Sequence, residues 1–63
     1  MFYVYFLESL EHQERYIGLS RDIKTRFADH NAGKSPHTSK FRPWRLVTYL
    51  AFSDEAKAVE FER

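Results

Sequence analysis

At 63 residues the chain has room for one domain, and its 43% hydrophobic content, with six Phe, four Tyr and one Trp, suffices for a small aromatic core and excludes a disordered tail. The absence of cysteine excludes disulfides, thiolate metal sites and thiol nucleophiles. The lack of a roughly 20-residue apolar run, or of a basic-then-apolar leader, makes a cytoplasmic protein with no membrane partner the expectation. The net charge of +1 conceals a segregation: eight of the ten Lys and Arg lie between Arg15 and Arg45, opposed there only by Asp22 and Asp29, with acidic residues at both ends. Such a basic centre can bind a polyanion, although a solvated surface of mixed charge has the same composition.

In chain order, Phe2-Tyr3-Val4-Tyr5-Phe6-Leu7-Glu8 has the aromatic and β-branched character of a strand, with Phe2, Val4 and Phe6 on one face and Tyr3, Tyr5 and Leu7 on the other. After the polar stretch from Ser9 to Glu14 the pattern resumes at Arg15-Tyr16-Ile17-Gly18-Leu19, which predicts an antiparallel hairpin. Ser20 is the expected cap of a helix carrying Asp22 in its first turn and Ile23 and Phe27 on one face. Asn31, Ala32 and Gly33 end it, Gly33 in a left-handed conformation. Lys34 to Lys40 has no periodicity and reads as an exposed basic loop. Trp44 to Phe52 predicts a third strand, apolar on both faces and so expected to be covered on both, with Leu46, Thr48 and Leu50 alternating against Val47, Tyr49 and Ala51. Ser53 and Asp54 open a last helix that meets no stop residue before Arg63, so residues 1–63 are read as a single domain cut short at its C-terminus. The order strand, strand, helix, strand, helix predicts an α+β fold, a small three-stranded, largely antiparallel sheet flanked by helices.

Three groups of side chains could carry chemistry. Arg26 and His30 are four residues apart and so neighbours on one helix face, where a guanidinium can grip a phosphate and an imidazole can relay a proton; an exposed helix with Arg26 paired to Asp22 or Asp29 would use the same residues. Tyr3, Tyr5 and Tyr16 lie on the paired strands, where a phenol can serve as a base or simply fill the core. Glu60 and Glu62 are helix carboxylates, either of which could anchor a magnesium ion that keeps most of its waters.

At Tyr3-Val4-Tyr5, Tyr16-Ile17-Gly18, Arg26 and His30 the chain resembles the GIY-YIG endonuclease superfamily, in particular the small stand-alone branch related to the N-terminal nuclease domain of UvrC. The segments Arg26 to Lys34, Arg42 to Val47 and Glu55 to Arg63 are similar to that branch as well, so the resemblance spans the chain. It implies a Mg2+- or Mn2+-dependent endonuclease acting on DNA, with a place in repair or recombination. Tyr5 and Tyr16 would stand near the attacking water, Arg26 on the scissile phosphate and His30 in proton transfer. Glu62, four residues after Ala58, would be the metal ligand, with Glu60 as second choice. Gly18 would leave room beside the tyrosines, and Tyr3, Arg21, Lys24, Lys34, Lys40, Arg42 and Arg45 are the remaining candidate substrate contacts. The alternative is a nucleic-acid-binding module of the same fold that performs no chemistry.

Overall fold

Aromatic and β-branched side chains favour a pleated backbone, and in the computed structural model, which describes residues 1–63, the first such run forms β1, Phe2–Ser9. The chain reverses and returns as β2, Arg15–Ser20, antiparallel to β1 with Tyr5 opposite Gly18 and Leu7 opposite Tyr16. The third strand, β3, Trp44–Phe52, pairs antiparallel along the other edge of β1, so the sheet order is β2-β1-β3 and β1 is central. Directly opposed residues share a face. Tyr3, Tyr5 and Leu7 therefore look one way, and Phe2, Val4 and Phe6 the other, as the alternation predicts.

Helix α1, Ile23–Ala32, covers the tyrosine face. Its cap is Asp22 and not Ser20: the Asp22 carboxylate accepts the Thr25 N–H at 3.1 Å and the Thr25 hydroxyl at 2.8 Å. Ser20 instead shapes the preceding turn, its hydroxyl accepting the Asp22 N–H at 2.9 Å and donating to the Asp22 carbonyl at 3.0 Å. Two oxygen-bearing side chains two residues apart compete for one cap, and the turn decides between them. Gly33 ends α1 at φ 81°, in the left-handed conformation expected of it.

The expected exposed loop contains a further short helix, α2, Pro36–Ser39, with Thr38 buried. Proline preset at the first helical position starts it, and four residues are too few for a hydrophobic period to register in the sequence. Beyond β3, α3, Glu55–Glu62, is capped by the Asp54 carboxylate accepting the Ala56 N–H at 2.9 Å. It lies on the opposite face of the sheet, that of Val4 and Phe52: Ala58 is fully buried and Phe61 packs on Phe52 with ring centroids 5.7 Å apart.

Expectations for β3 fail in two respects. It is an edge strand, not one covered on both sides: Val47, Tyr49 and Leu50 are 48%, 52% and 39% exposed. Composition shows what a strand could bury, but α3 is about 12 Å long against about 30 Å for β3 and cannot cover it. In addition, a bulge interrupts the pairing between Phe6 and Leu7, whose partners jump from Thr48 to Leu46. The extra residue, Val47, inverts the alternation. Leu46 thus joins Tyr49 on the α1 face, while Thr48 and Leu50 face the other way.

The core lies between α1, α2 and the tyrosine face. Tyr5, Leu7 and Trp44 are buried there, with Tyr16, Ile23, Phe27, Phe41 and Leu46 packed around them. Asn31 fastens the end of α1 to the start of β3: its amide donates to the Trp44 carbonyl at 3.1 Å and accepts the Trp44 N–H at 2.6 Å. The Trp44 indole N–H donates to the Thr38 carbonyl at 2.9 Å, tying α2 to the same point. No helix is long and apolar enough to cross a membrane.

Candidate active site

Tyr5 sits at the middle of the central strand, and its ring lies across Gly18 on the neighbouring strand, where a side chain would collide with it. That close approach carries the phenol to α1, where Tyr5 Oη is 2.9 Å from His30 Nε2. The other imidazole nitrogen, Nδ1, is 2.7 Å from Thr38 Oγ1 in α2. All three side chains are buried. A neutral imidazole offers one donor and one acceptor, so this chain of bonds is satisfied in either of two senses, and when Nδ1–H donates to Thr38, Nε2 accepts the Tyr5 O–H.

Tyr16, half-buried, closes the group, with its ring centroid 4.9 Å from that of His30 and 6.2 Å from that of Tyr5. Arg26, one helical turn before His30, lies close enough to Tyr5 to favour its ionised form. Burial outweighs this and raises the Tyr5 pKa above the ordinary phenol value, and the Tyr16 hydroxyl raises it further. Burial likewise lowers the His30 pKa, with Arg26 adding to the effect and Asp29 opposing it, so the imidazole is neutral near pH 7. Arg26 is paired to Asp29 at 3.6 Å, one of the two partners open to it, yet 42% of its side chain is exposed. An ion pair this exposed is weak and holds the guanidinium only loosely.

The fold therefore brings together Tyr5, Tyr16, Arg26 and His30. It does not bring Glu62 to them: that residue is exposed on the last turn of α3, behind the sheet, and no hydrogen bond or ion pair joins it to the cluster. Glu60 lines a shallow hollow with Phe52, Lys57 and Phe61. No three acidic, histidine or cysteine side chains converge anywhere as a metal cage. What the chain offers a divalent ion is one carboxylate at a time, which suits a hydrated magnesium that draws further oxygens from a phosphate.

The remaining candidates are scattered. Arg21 stacks over Phe2 at 4.6 Å and Lys40 over Phe41 at 5.6 Å. Lys34 shares Asp29 with Arg26, at 3.8 Å. Arg42 donates to the Ser39 carbonyl at 2.8 Å and lies against Gly33. Arg45 is held by Glu8 at 2.9 Å, three residues along β1 from Tyr5, and this partner depresses the Glu8 pKa. Tyr3 meets Tyr49 edge-on, with ring centroids 5.7 Å apart.

Sequence reasoning missed Thr38, which orients His30, and His37, whose ring is 6.2 Å from Tyr16. Both lie in the stretch from Lys34 to Lys40, whose lack of periodicity reads as loop. The only available signal was indirect: a buried histidine needs partners for two nitrogens, and Thr38 is one of few hydroxyls near in sequence.

A family model described as the GIY-YIG catalytic domain matches residues 1–63. A UPF0213 protein of Streptococcus pyogenes serotype M3 is 36% identical over 61 residues, covering 95% of this chain and 65% of that protein. Another UPF0213 protein, from Lacticaseibacillus paracasei, is 42% identical over 48 residues, covering 75% of this chain and 54% of that one. The chain thus spans less than two thirds of the length of the curated relatives it matches. No solved structure matches. With both tyrosine triplets, Arg26 and His30 inside a match that runs from end to end, the chain belongs to the GIY-YIG family, a family of nucleases.

Proposed function

We propose that this chain is the catalytic core of a divalent-metal-dependent endonuclease that hydrolyses DNA phosphodiester bonds. The observation that carries the reading is the bonded row Tyr5, His30, Thr38 beside Arg26 and Tyr16. Hydrolysis needs a proton taken from water and a charged phosphorane stabilised. Tyr16, the half-buried phenol, meets the water. Its proton passes to Tyr5 and on to Nε2 of His30, which is neutral and therefore able to accept it. Because burial keeps the imidazole a weak base, it gives the proton up again readily, back through Tyr5 and Tyr16 to solvent, from which the leaving oxygen takes its own proton. Arg26 releases Asp29 and binds two phosphate oxygens in parallel. A magnesium or manganese ion would neutralise charge on the phosphate. Glu62 is the carboxylate proposed to hold it, and because α3 lies on the other face of the sheet that assignment rests on the family resemblance and not on the geometry of the cluster.

The reading includes action on DNA in repair or recombination in the cytoplasm. It is tested by incubating labelled single-stranded, duplex and branched DNA with magnesium or manganese, using the unaltered chain and Tyr16→Phe, Arg26→Ala and Glu62→Ala. The expected result is metal-dependent cutting, lost in each variant, with DNA affinity largely kept in Glu62→Ala. The separation of Glu62 from the cluster supports a second reading, a binding module that grips phosphates without chemistry. Salt-sensitive binding with no cutting of any substrate would favour it and overturn the first.

A further inference from the structure

Between the first turn of α1 and the tyrosine face of the sheet runs an open groove of about 460 Å3, lined among others by Tyr3, Arg21, Ile23, Lys24, Phe27 and Tyr49. None of the chemistry proposed above uses it. Its floor is apolar and its rim cationic, the two properties that separate a base-binding surface from one that only tracks phosphates. Tyr49 is 52% exposed, and Tyr3 meets it edge-on at 74° between ring planes. Tyr3 thus props the Tyr49 ring, which on an edge strand has no other element to cover it. Arg21 lines one end of the groove while its guanidinium lies over Phe2, a ring on the other face of the sheet that it would leave to reach a phosphate, and neither Arg21 nor Lys24 is in an ion pair. The one acidic residue in the groove, Asp22, has its carboxylate engaged by Thr25.

We infer that this groove takes an unpaired nucleobase and its neighbouring phosphate, so that the substrate carries a single-stranded stretch beside the bond to be cut. Tyr49 stacks on the base, and Arg21 and Lys24 hold the phosphate. In a duplex both faces of each base are already stacked on neighbours, leaving nothing for Tyr49 to cover; an unpaired base presents a free face. The position fits the reading of the active site on which this inference rests. Tyr3 and Tyr5 point the same way from β1, about 7 Å apart, roughly two base steps at about 3.4 Å each.

The test measures binding with the metal chelated, so that cutting plays no part. Fluorescence anisotropy of a labelled single-stranded oligonucleotide and of a blunt duplex of equal length is recorded for the unaltered chain, Tyr49→Phe, Tyr49→Val and Tyr49→Thr. The last two keep strand-forming character without a ring, and circular dichroism verifies that both are folded. The ring-less variants are expected to lose on the order of 5- to 150-fold in single-strand affinity, the range of one stacked base, with duplex affinity unchanged and Tyr49→Phe like the parent. Equal losses on both substrates, or none on the single strand, overturn the inference. A chain that cuts nothing yet shows the selective loss refutes the endonuclease reading alone, whereas one that cuts blunt duplex and ignores Tyr49→Val refutes the groove alone.

Discussion

Substituting Gly18 by alanine tests the closest packing in the site. An ideal Cβ there would strike Cζ and Oη of Tyr5 and lie 2.8 Å from Cε1. The tyrosine has nowhere to retreat: it is 1% exposed, its hydroxyl is bonded to His30 at 2.9 Å, and the Tyr16 ring is beside it. Yielding means forcing the ring off its rotamer or parting the strands, which costs about 1–3 kcal/mol in a packed core. Losing the bond to His30 adds about 1 kcal/mol, and alanine recovers about 0.4–1 kcal/mol by stiffening the unfolded chain. The balance is about 1–3 kcal/mol. In a domain of this size each kcal/mol lowers Tm by about 4–8 °C, so Gly18→Ala should melt about 5–20 °C below the parent by circular dichroism. A shift of Tyr5 by about 1 Å should also reduce cutting by about 100-fold. Adding Tyr5→Phe removes Oη, one of the clashing atoms, and the pair should be less destabilised than the sum of the single changes by at least about 0.5 kcal/mol. If Gly18→Ala melts and cuts like the parent, the Tyr5 ring does not lie across Gly18 and the account of the site is wrong.

Thr38→Val keeps shape but leaves Nδ1 of His30 without a partner and should cost about 1–3 kcal/mol in urea unfolding, while Thr38→Ser should cost much less. Asn31→Ala removes both bonds to the Trp44 backbone, leaving a buried edge unpaired, and should cost about 1–3 kcal/mol, visible also as altered tryptophan fluorescence. Because the His30 pKa is lower in the folded chain than its ordinary 6.5, the unfolded chain takes up the proton first. The stability this group contributes is complete above about pH 6.5 and is lost as pH falls through the folded value. Melting curves over that range should therefore decline more steeply for the parent than for His30→Asn, and equal slopes would contradict it.

How much could be read in advance depended on how local the cause was. The two-residue alternation of Phe2 to Leu7 sufficed to assign the faces of β1, and Gly33 declared its own conformation, because each depends on a few adjacent residues. Spacing pairs Arg26 with His30, but that Tyr5 and Tyr16 join them came from resemblance, since Tyr5 and His30 are 25 residues apart. What escaped was decided by distant parts. Whether β3 is covered depends on the length of α3, and whether Leu46 faces α1 depends on a bulge that the run Trp44 to Phe52 does not mark. Thr38 was hidden because α2 is a single turn whose only buried residue is polar. Polar residues ordinarily signal surface, and here one is inside because an imidazole needs it.

That last point governs how the site must be probed. Of the nine buried residues, Tyr5, Gly18, His30, Thr38 and Trp44 either belong to the candidate site or hold it in place. In a larger enzyme the scaffold would bear the stability and the site could be emptied without loss of fold. Here β1, β2, α1, α2 and β3 meet at the same few side chains, so that the row of bonds from Tyr5 through His30 and Thr38 to Trp44 ties the elements together, while its first bond, Tyr5 to His30, is also part of the proposed proton path. Deleting any of them to alanine removes packing along with chemistry, and a dead variant would say nothing about mechanism. Changes that keep volume separate the two. Tyr16→Phe leaves the ring against His30 and takes only the hydroxyl, and because Tyr16 is half-buried that hydroxyl leaves no sealed void behind. Melting should hold while cutting falls. If instead stability and cutting fall together in Tyr16→Phe, the hydroxyl serves the fold, and the phenol that meets water must be sought elsewhere.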